Sequence, residues 1–211
     1  MNEDKKTFKV SQEDIELAKK AAPADLQEQE PVSIFNEILD WVESFVFAMF
    51  IIILIFIFLL RIVTVEGESM NATLDDKDRV IITHLNYTPK RDDVVVANSS
   101  VLNKTIIKRV IGVGGDTVKI DYNVNKVFVN GEEISNEHIN GTMINKGMFD
   151  PNYLISDGVY QYKVPDGKVF VMGDNRNNST DSRTIGFIDN KDVLGHVIFR
   201  LYPFKKLGKV K

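Results

Sequence analysis

Cysteine is absent from the 211-residue chain, histidine occurs three times, proline six times and tryptophan once. Without cysteine there is no disulfide framework, no thiol nucleophile and no Cys-ligated zinc or iron–sulfur centre. His84, His138 and His196 show no His-x-x-x-His spacing, so neither a metal nor another cofactor is expected. A basic excess is missing too. Lys and Arg number 26 against 30 Asp and Glu, a net −4. A polyanion partner needs a basic surface, so no nucleic-acid partner is expected. The average conceals two unlike parts. Residues 1–43 carry 5 basic and 11 acidic side chains, a net −6, while residues 44–211 carry 21 and 19, a net +2.

What is present begins with a hydrophobic run. Residues 44–60 read SFVFAMFIIILIFIFLL, 17 positions without a charge. As a helix this spans roughly 26 Å, and Trp41, Val42, Ile62 and Val63 extend it toward the ~30 Å of a bilayer core. The run is apolar on every face, unlike the one-sided stripe of an amphipathic core helix. A transmembrane helix over residues 44–63 is therefore expected. A cleavable secretory signal fits poorly, because 43 mostly acidic residues precede the run. Arg61, Lys77 and Arg79 follow the span while residues 21–43 hold no Lys or Arg. By the positive-inside rule alone, this places the C-terminal part in the cytoplasm.

The acidic tail, residues 1–43, holds two helix signals. Ser11 with Asp14 resembles a capping box before a helix that Pro23 ends. Ser33 can cap a second helix leading into the membrane. After residue 63, short β-branched runs alternate with turn residues: 79–83, 93–97, 104–111, 117–121, 126–129, 168–172 and 193–201. Asn130-Gly131 between two such runs marks a hairpin. A mainly β domain over residues 64–211 follows, with a less patterned segment, about 123–163, that reads as an insertion.

Three clusters in this domain can carry chemistry. Gly67-Glu68-Ser69-Met70-Asn71-Ala72-Thr73-Leu74 offers a turn serine, either a structural turn residue or a nucleophile. It is not a nucleophile elbow, since Gly-x-Ser-x-Gly fails at Asn71. Thr105-Ile-Ile-Lys108-Arg109-Val-Ile111 puts cations in an apolar strand. Either the strand is an edge with solvated charges, or Lys108 is desolvated, which lowers its pKa and makes it a base. Residues 172–183, Met-Gly-Asp-Asn-Arg-Asn-Asn-Ser-Thr-Asp-Ser-Arg, are either a solvated loop or a support shell for a site. Gly112-Val-Gly114-Gly115-Asp116 is not a phosphate loop, because a strand follows and Gly-Lys-Ser/Thr is missing.

Taken in order, these clusters resemble the boxes of the bacterial type I signal peptidases, membrane-bound serine proteases with a Ser/Lys dyad, in their Gram-positive-like form. The boxes are Ser69-Met70 with Thr73-Leu74; Arg91-Asp92-Asp93-Val94; Lys108-Arg109 with Gly112, Gly115 and Asp116; and Gly173-Asp174-Asn175-Arg176 with Ser179, Asp181, Ser182 and Arg183. Ala72, Asp93 and Gly114 depart from the pattern, standing where Pro, Gly and Pro are usual. The resemblance implies a signal-peptidase/LexA-like β fold of coiled antiparallel sheets after one transmembrane helix. It implies Ser69 as nucleophile and Lys108 as base, Ser179 orienting Lys108, and an ion-paired shell of Arg109, Asp174, Asp181 and Arg183. Some members place an oxyanion-donating serine two residues before the nucleophile. Here that position is Gly67, which leaves the Ser69 backbone N–H as donor. The implied partners are secretory preproteins, with small residues before the cleavage site, and membrane lipid. The implied location is a single-pass cell-membrane protein with its catalytic domain outside and its tail in the cytoplasm, against the local charge signal. Two other classes fit the same residues: a membrane-anchored LexA-like protein that cuts only itself, and a non-catalytic binding module.

Overall fold

A computed structural model describes residues 11–21, 34–83, 85, 87–135, 139, 142–144 and 150–210. The chain divides into two compact units, Met1–Ile52 and Ile53–Lys211.

In the first unit, α1 spans Gln12–Ala21. The expected capping box is present. The Asp14 carboxylate accepts from Ser11 N at 3.2 Å and from Ser11 Oγ at 2.7 Å, and Asp14 N donates to Ser11 Oγ at 3.3 Å. The Ser33 cap and the Pro23 stop lie outside the described residues. Helix α2 spans Ile34–Leu59 without a break. Its segment Ile34–Ile55 is 22 residues with mean hydropathy 2.3, long and apolar enough to cross a membrane. From residue 45 to 55 every side chain is apolar, with Phe45, Phe47, Phe50 and Ile52 exposed.

One boundary differs from the expected span of residues 44–63. Residues 60–63 are not helical. Strand β1 (Leu60–Thr64) pairs antiparallel with β2 (Arg79–Thr83), from Leu60 opposite Thr83 to Thr64 opposite Arg79. Ile62, Val63 and Thr64 are β-branched, as are Val80, Ile81, Ile82 and Thr83 on the facing strand. Such residues lose rotamer freedom in a helix and pack well across a ladder.

The remaining strands form two antiparallel sheets. The first joins β1 and β2 to β3 (Val94–Ser99), β4 (Lys104–Val113), β10 (Lys168–Met172), β11 (Ile188–Asp189), β12 (Val193–Tyr202) and β13 (Gly208–Lys209). Its order is β1-β2-β12-β3-β4-β10-β11, with β13 on β12. The second holds β5 (Thr117–Asp121), β6 (Lys126–Val129), β7 (Glu132–Glu133), β8 (Leu154–Ser156) and β9 (Val159–Lys163), in the order β7-β6-β5-β9-β8. A single turn, α3 (Ser182–Ile185), precedes β11.

Asn130 and Gly131 both take positive φ and close the β6–β7 hairpin, the geometry an Asn-Gly turn favours. The segment read as an insertion is part of the second sheet. Val159–Lys163 pairs along the whole of β5, and Tyr160 and Tyr162 are buried in the core with Val118, Ile120 and Phe170. Two further clusters line the first sheet. One gathers Met70, Leu74, Val80, Val94, Val96 and Ile107, the other Val95, Ala97, Ile106, Val110, Val169 and Val171. Strand β4 contributes to all three, and Ile106 to Gly112 are buried on both faces. It is therefore an inner strand, not the solvated edge that its two cations allowed.

Candidate active site

Ser69 sits on the turn that follows β1. Met70 and Leu74, 1% and 0% exposed, plug this turn into the core, and Leu74 N donates to Met70 O at 2.8 Å. Gly67 enters the turn at φ +86°, a conformation that L side chains rarely adopt. Its N–H is taken by Asp76 Oδ1 at 2.8 Å. Among the described residues nothing accepts the Ser69 N–H, so it remains available to a ligand.

Lys108 comes from β4, 39 residues further along the chain. Its Nζ donates to Ser69 Oγ at 2.6 Å and to Ile107 O at 2.9 Å. The side chain is 5% exposed. Burial lowers its pKa from 10.5 to about 8. The Asp181 charge opposes the shift and the Lys104 charge adds to it. A desolvated amine in contact with a hydroxyl is a nucleophile–base pair.

Buried ion pairs fix the strands that carry the pair. Arg109 forks onto Asp174, with Nε at 2.9 Å from Oδ1 and Nη2 at 2.8 Å from Oδ2, and its Nη1 donates to Asp92 O at 2.8 Å. Burial alone would make Arg109 less basic, but the Asp174 carboxylate outweighs it and holds the pKa up. Arg183 forks onto Asp181 at 2.8 and 2.9 Å, and Asp181 Oδ2 also accepts from Gly173 N at 3.0 Å. Burial pushes Asp181 up; Arg183 overrides that and keeps its carboxyl below the usual range. All four shell residues expected from the sequence are thus buried and paired. Ser179 differs. Its buried Oγ faces the Asp181 carboxylate without a hydrogen bond of good geometry, and Lys108 Nζ bonds elsewhere.

Gly173, Asn175 and Thr73, which stand in the boxes without an assigned role, complete the site together with Arg200, which the sequence did not single out. Gly173 is the tightest: a methyl group there would lie 2.3 Å from Ser179 Oγ and 2.4 Å from Ser69 O. Only glycine lets this loop touch the nucleophile's backbone. Asn175 N donates to Ser69 O at 3.0 Å, and Asn175 Nδ2 to Glu68 O at 3.2 Å. Thr73 Oγ1 donates to Asp174 Oδ2 and accepts from Arg109 Nη2 at 3.2 Å. Arg200 braces the far side of the turn, donating to Asp78 Oδ2 at 3.1 Å and Thr73 O at 2.8 Å. Its signal was legible: like Lys108, Arg200 is a cation inside an apolar strand.

A groove of about 670 Å³ opens beside the pair, walled by residues 63–70 and 104–108 with Leu102, Asn178 and Thr180. Strand β1 ends its sheet and pairs only with β2. Strand β10 pairs with β4 from Arg109 onward, whereas Lys104 to Lys108 pair only with β3. Two strand edges, both running toward Ser69, therefore face the groove with unpaired backbone groups among the described residues. An extended peptide fits such a site by adding a strand.

Residues 38–202 match the family described as signal peptidase, peptidase S26. Signal peptidase I of Bacillus amyloliquefaciens is 35% identical over 188 residues, covering 87% of this chain and 98% of its own. Signal peptidase IB of Staphylococcus aureus (strain COL) is 35% identical over 180 residues, covering 81% and 93%. A crystal structure of a signal peptidase I from Enterococcus faecalis V583 overlaps 52% of this chain and 97% of its own, at 28% identity and a TM-score of 0.41.

Proposed function

The chain belongs to the signal peptidase family, peptidase S26, and on that premise we propose that it removes N-terminal signal peptides from secretory preproteins through a Ser69–Lys108 dyad. The observation that carries this reading is the 2.6 Å contact between a buried lysine amine and a serine hydroxyl at the head of a peptide-sized groove.

Neutral Lys108 takes the Ser69 hydroxyl proton as Oγ attacks the carbonyl carbon of the scissile bond. The oxyanion meets the free Ser69 N–H, a donor worth about 3–4 kcal/mol in such sites. The C–N bond then breaks, and the Lys108 ammonium gives its proton to the leaving amine. Water, deprotonated by Lys108, hydrolyses the acyl ester and restores Ser69. The bidentate pairs Arg109–Asp174 and Arg183–Asp181 hold the strand and loop that keep this geometry. Ser179 lies against Gly173, which also abuts the Ser69 carbonyl, and orienting Lys108 is the role the family resemblance gives it.

The span serves this chemistry. Ser69 follows Leu59, the end of α2, by ten residues, which tethers the nucleophile close to where a precursor leaves the membrane. With α2 from residue 44 onward in the lipid, the β domain of residues 64–211 lies outside the cytoplasm and the tail of residues 1–43 inside. No cofactor, metal or nucleic acid takes part. Purified full-length protein tests the reading: it cleaves a signal-peptide substrate after the small-residue site, and Ser69→Ala and Lys108→Ala do not. Near-normal cleavage by either variant refutes the dyad, and self-cleavage without cleavage in trans favours a LexA-like role.

A further inference from the structure

Among the described residues, three exposed charges line the groove without an ion pair, and Lys104 is the one cation among them. Lys104 is exposed, lines the groove, and also borders a shallower depression shared with Asp192. Glu66 and Glu68 line the opposite wall. Among the described residues, none of these carboxylates forms an ion pair with Lys104. Lys104 and Lys108 are four residues apart on one strand, so side-chain alternation puts Lys104, Ile106 and Lys108 on the same face. The Lys104 charge is felt at the dyad: after burial itself and the opposing pull of Asp181, it is the next influence on Lys108 and disfavours its protonation.

Strand addition fixes what Lys104 meets. A signal peptidase recognises residues that precede the cut, so these occupy the groove that leads to Ser69. Beyond Lys108 the edge of β4 is taken by β10, with Arg109 opposite Met172. The residues before the cut therefore run along β4 from Lys104 toward Lys108. Strands pair residue for residue at about 3.3 Å each. With the first residue before the cut at Lys108, the third lies at Ile106 and the fifth at Lys104, all on one face. The first and third then lie beside Lys108 and Ile106, which are buried. The fifth reaches an exposed ammonium at its mouth.

We propose that Lys104 is a specificity-determining residue that favours an acidic side chain, and disfavours a basic one, at the fifth residue before the cut. This rests on the signal-peptidase reading above. Exposed charge pairs of this kind are modest, at most about fivefold for each sign, and fade with salt.

The test uses the full-length enzyme and three peptides that differ only at that residue: Gln, Glu or Lys. In the wild type, kcat/KM at low salt falls in the order Glu, Gln, Lys. In Lys104→Glu the order inverts, and in Lys104→Gln the preference for Glu is lost, while the acidic wall of Glu66 and Glu68 remains. At about 1 M salt the wild-type preference shrinks toward unity. Each enzyme is judged by ratios among the three peptides, so a general change in rate does not affect the result. Equal wild-type rates on all three peptides, or a preference that survives Lys104→Glu, overturns the assignment while leaving the dyad intact. Failure of the wild type to cleave any of the three refutes the signal-peptidase reading, and this inference with it.

Discussion

Raising the pH from 7 to 9 should increase kcat/KM about tenfold, because the base that starts the reaction must first lose a proton. Burial brings the Lys108 pKa from 10.5 down to about 8, modulated by Asp181, Lys104, Asp174 and Arg183. One Lys108 in about ten is then neutral at pH 7, and about nine in ten at pH 9. An unshifted lysine would give a rise of about a hundredfold over the same interval and no plateau. The same shift has a consequence for stability. Between about 8 and 10.5 the unfolded chain binds the proton that the folded chain has released. Folding stability from this group therefore rises with pH across that window, by about 3 kcal/mol in all. Below pH 8 the cost of the buried ammonium is present in full. Lys108→Met removes this titration, so the stability difference between wild type and variant changes by that amount between pH 7 and 10.5. Initial rates on a signal-peptide substrate from pH 6 to 11, with urea unfolding of both proteins at pH 7 and 10.5, measure the two effects. A flat rate profile, or a midpoint near 10.5, refutes a desolvated lysine base.

Other outcomes follow from the same geometry. Gly173→Ala drives a methyl group against Ser69 O and Ser179 Oγ, and a displacement near 1 Å should lower kcat about 10²-fold. A steady-state comparison should show KM changing far less. Arg109→Met leaves Asp174, 0% exposed, charged and unpaired, which should cost about 3–5 kcal/mol in urea unfolding. The double variant Arg109→Met with Asp174→Leu should recover much of that loss while activity stays low; a double variant as unstable as the single one would contradict a charge-burial origin.

Most strands were legible because their signal is local. The β-branched runs at 79–83, 117–121, 126–129 and 168–172 coincide with β2, β5, β6 and β10. Strand β1 was not legible: Leu60, Ile62 and Val63 extend an apolar run past Arg61, and only Val80 to Thr83 opposite make them a strand. Strand β9 was hidden as well, because Val159-Tyr-Gln-Tyr-Lys163 sits in a polar, glycine-containing stretch and becomes a core strand only through pairing with β5. Asn175 and Thr73 stood within the polar boxes without a pattern to mark them, since their partners lie about a hundred residues away in the chain.

The sequence by itself determined the apolar span, the mainly β domain after it, the lack of thiol chemistry, and which serine and lysine were candidates. These are properties of composition and short-range pattern. Tertiary structure decided whether those candidates meet. It made β4 an inner strand, so that Lys108 lost its water and was brought to 2.6 Å from a serine 39 residues away. It also left half of that strand's edge unpaired beside β1, which turns two sheet edges into a groove for a peptide. Desolvation and edge exposure depend on which strands become neighbours, and residues distant in the chain settle that.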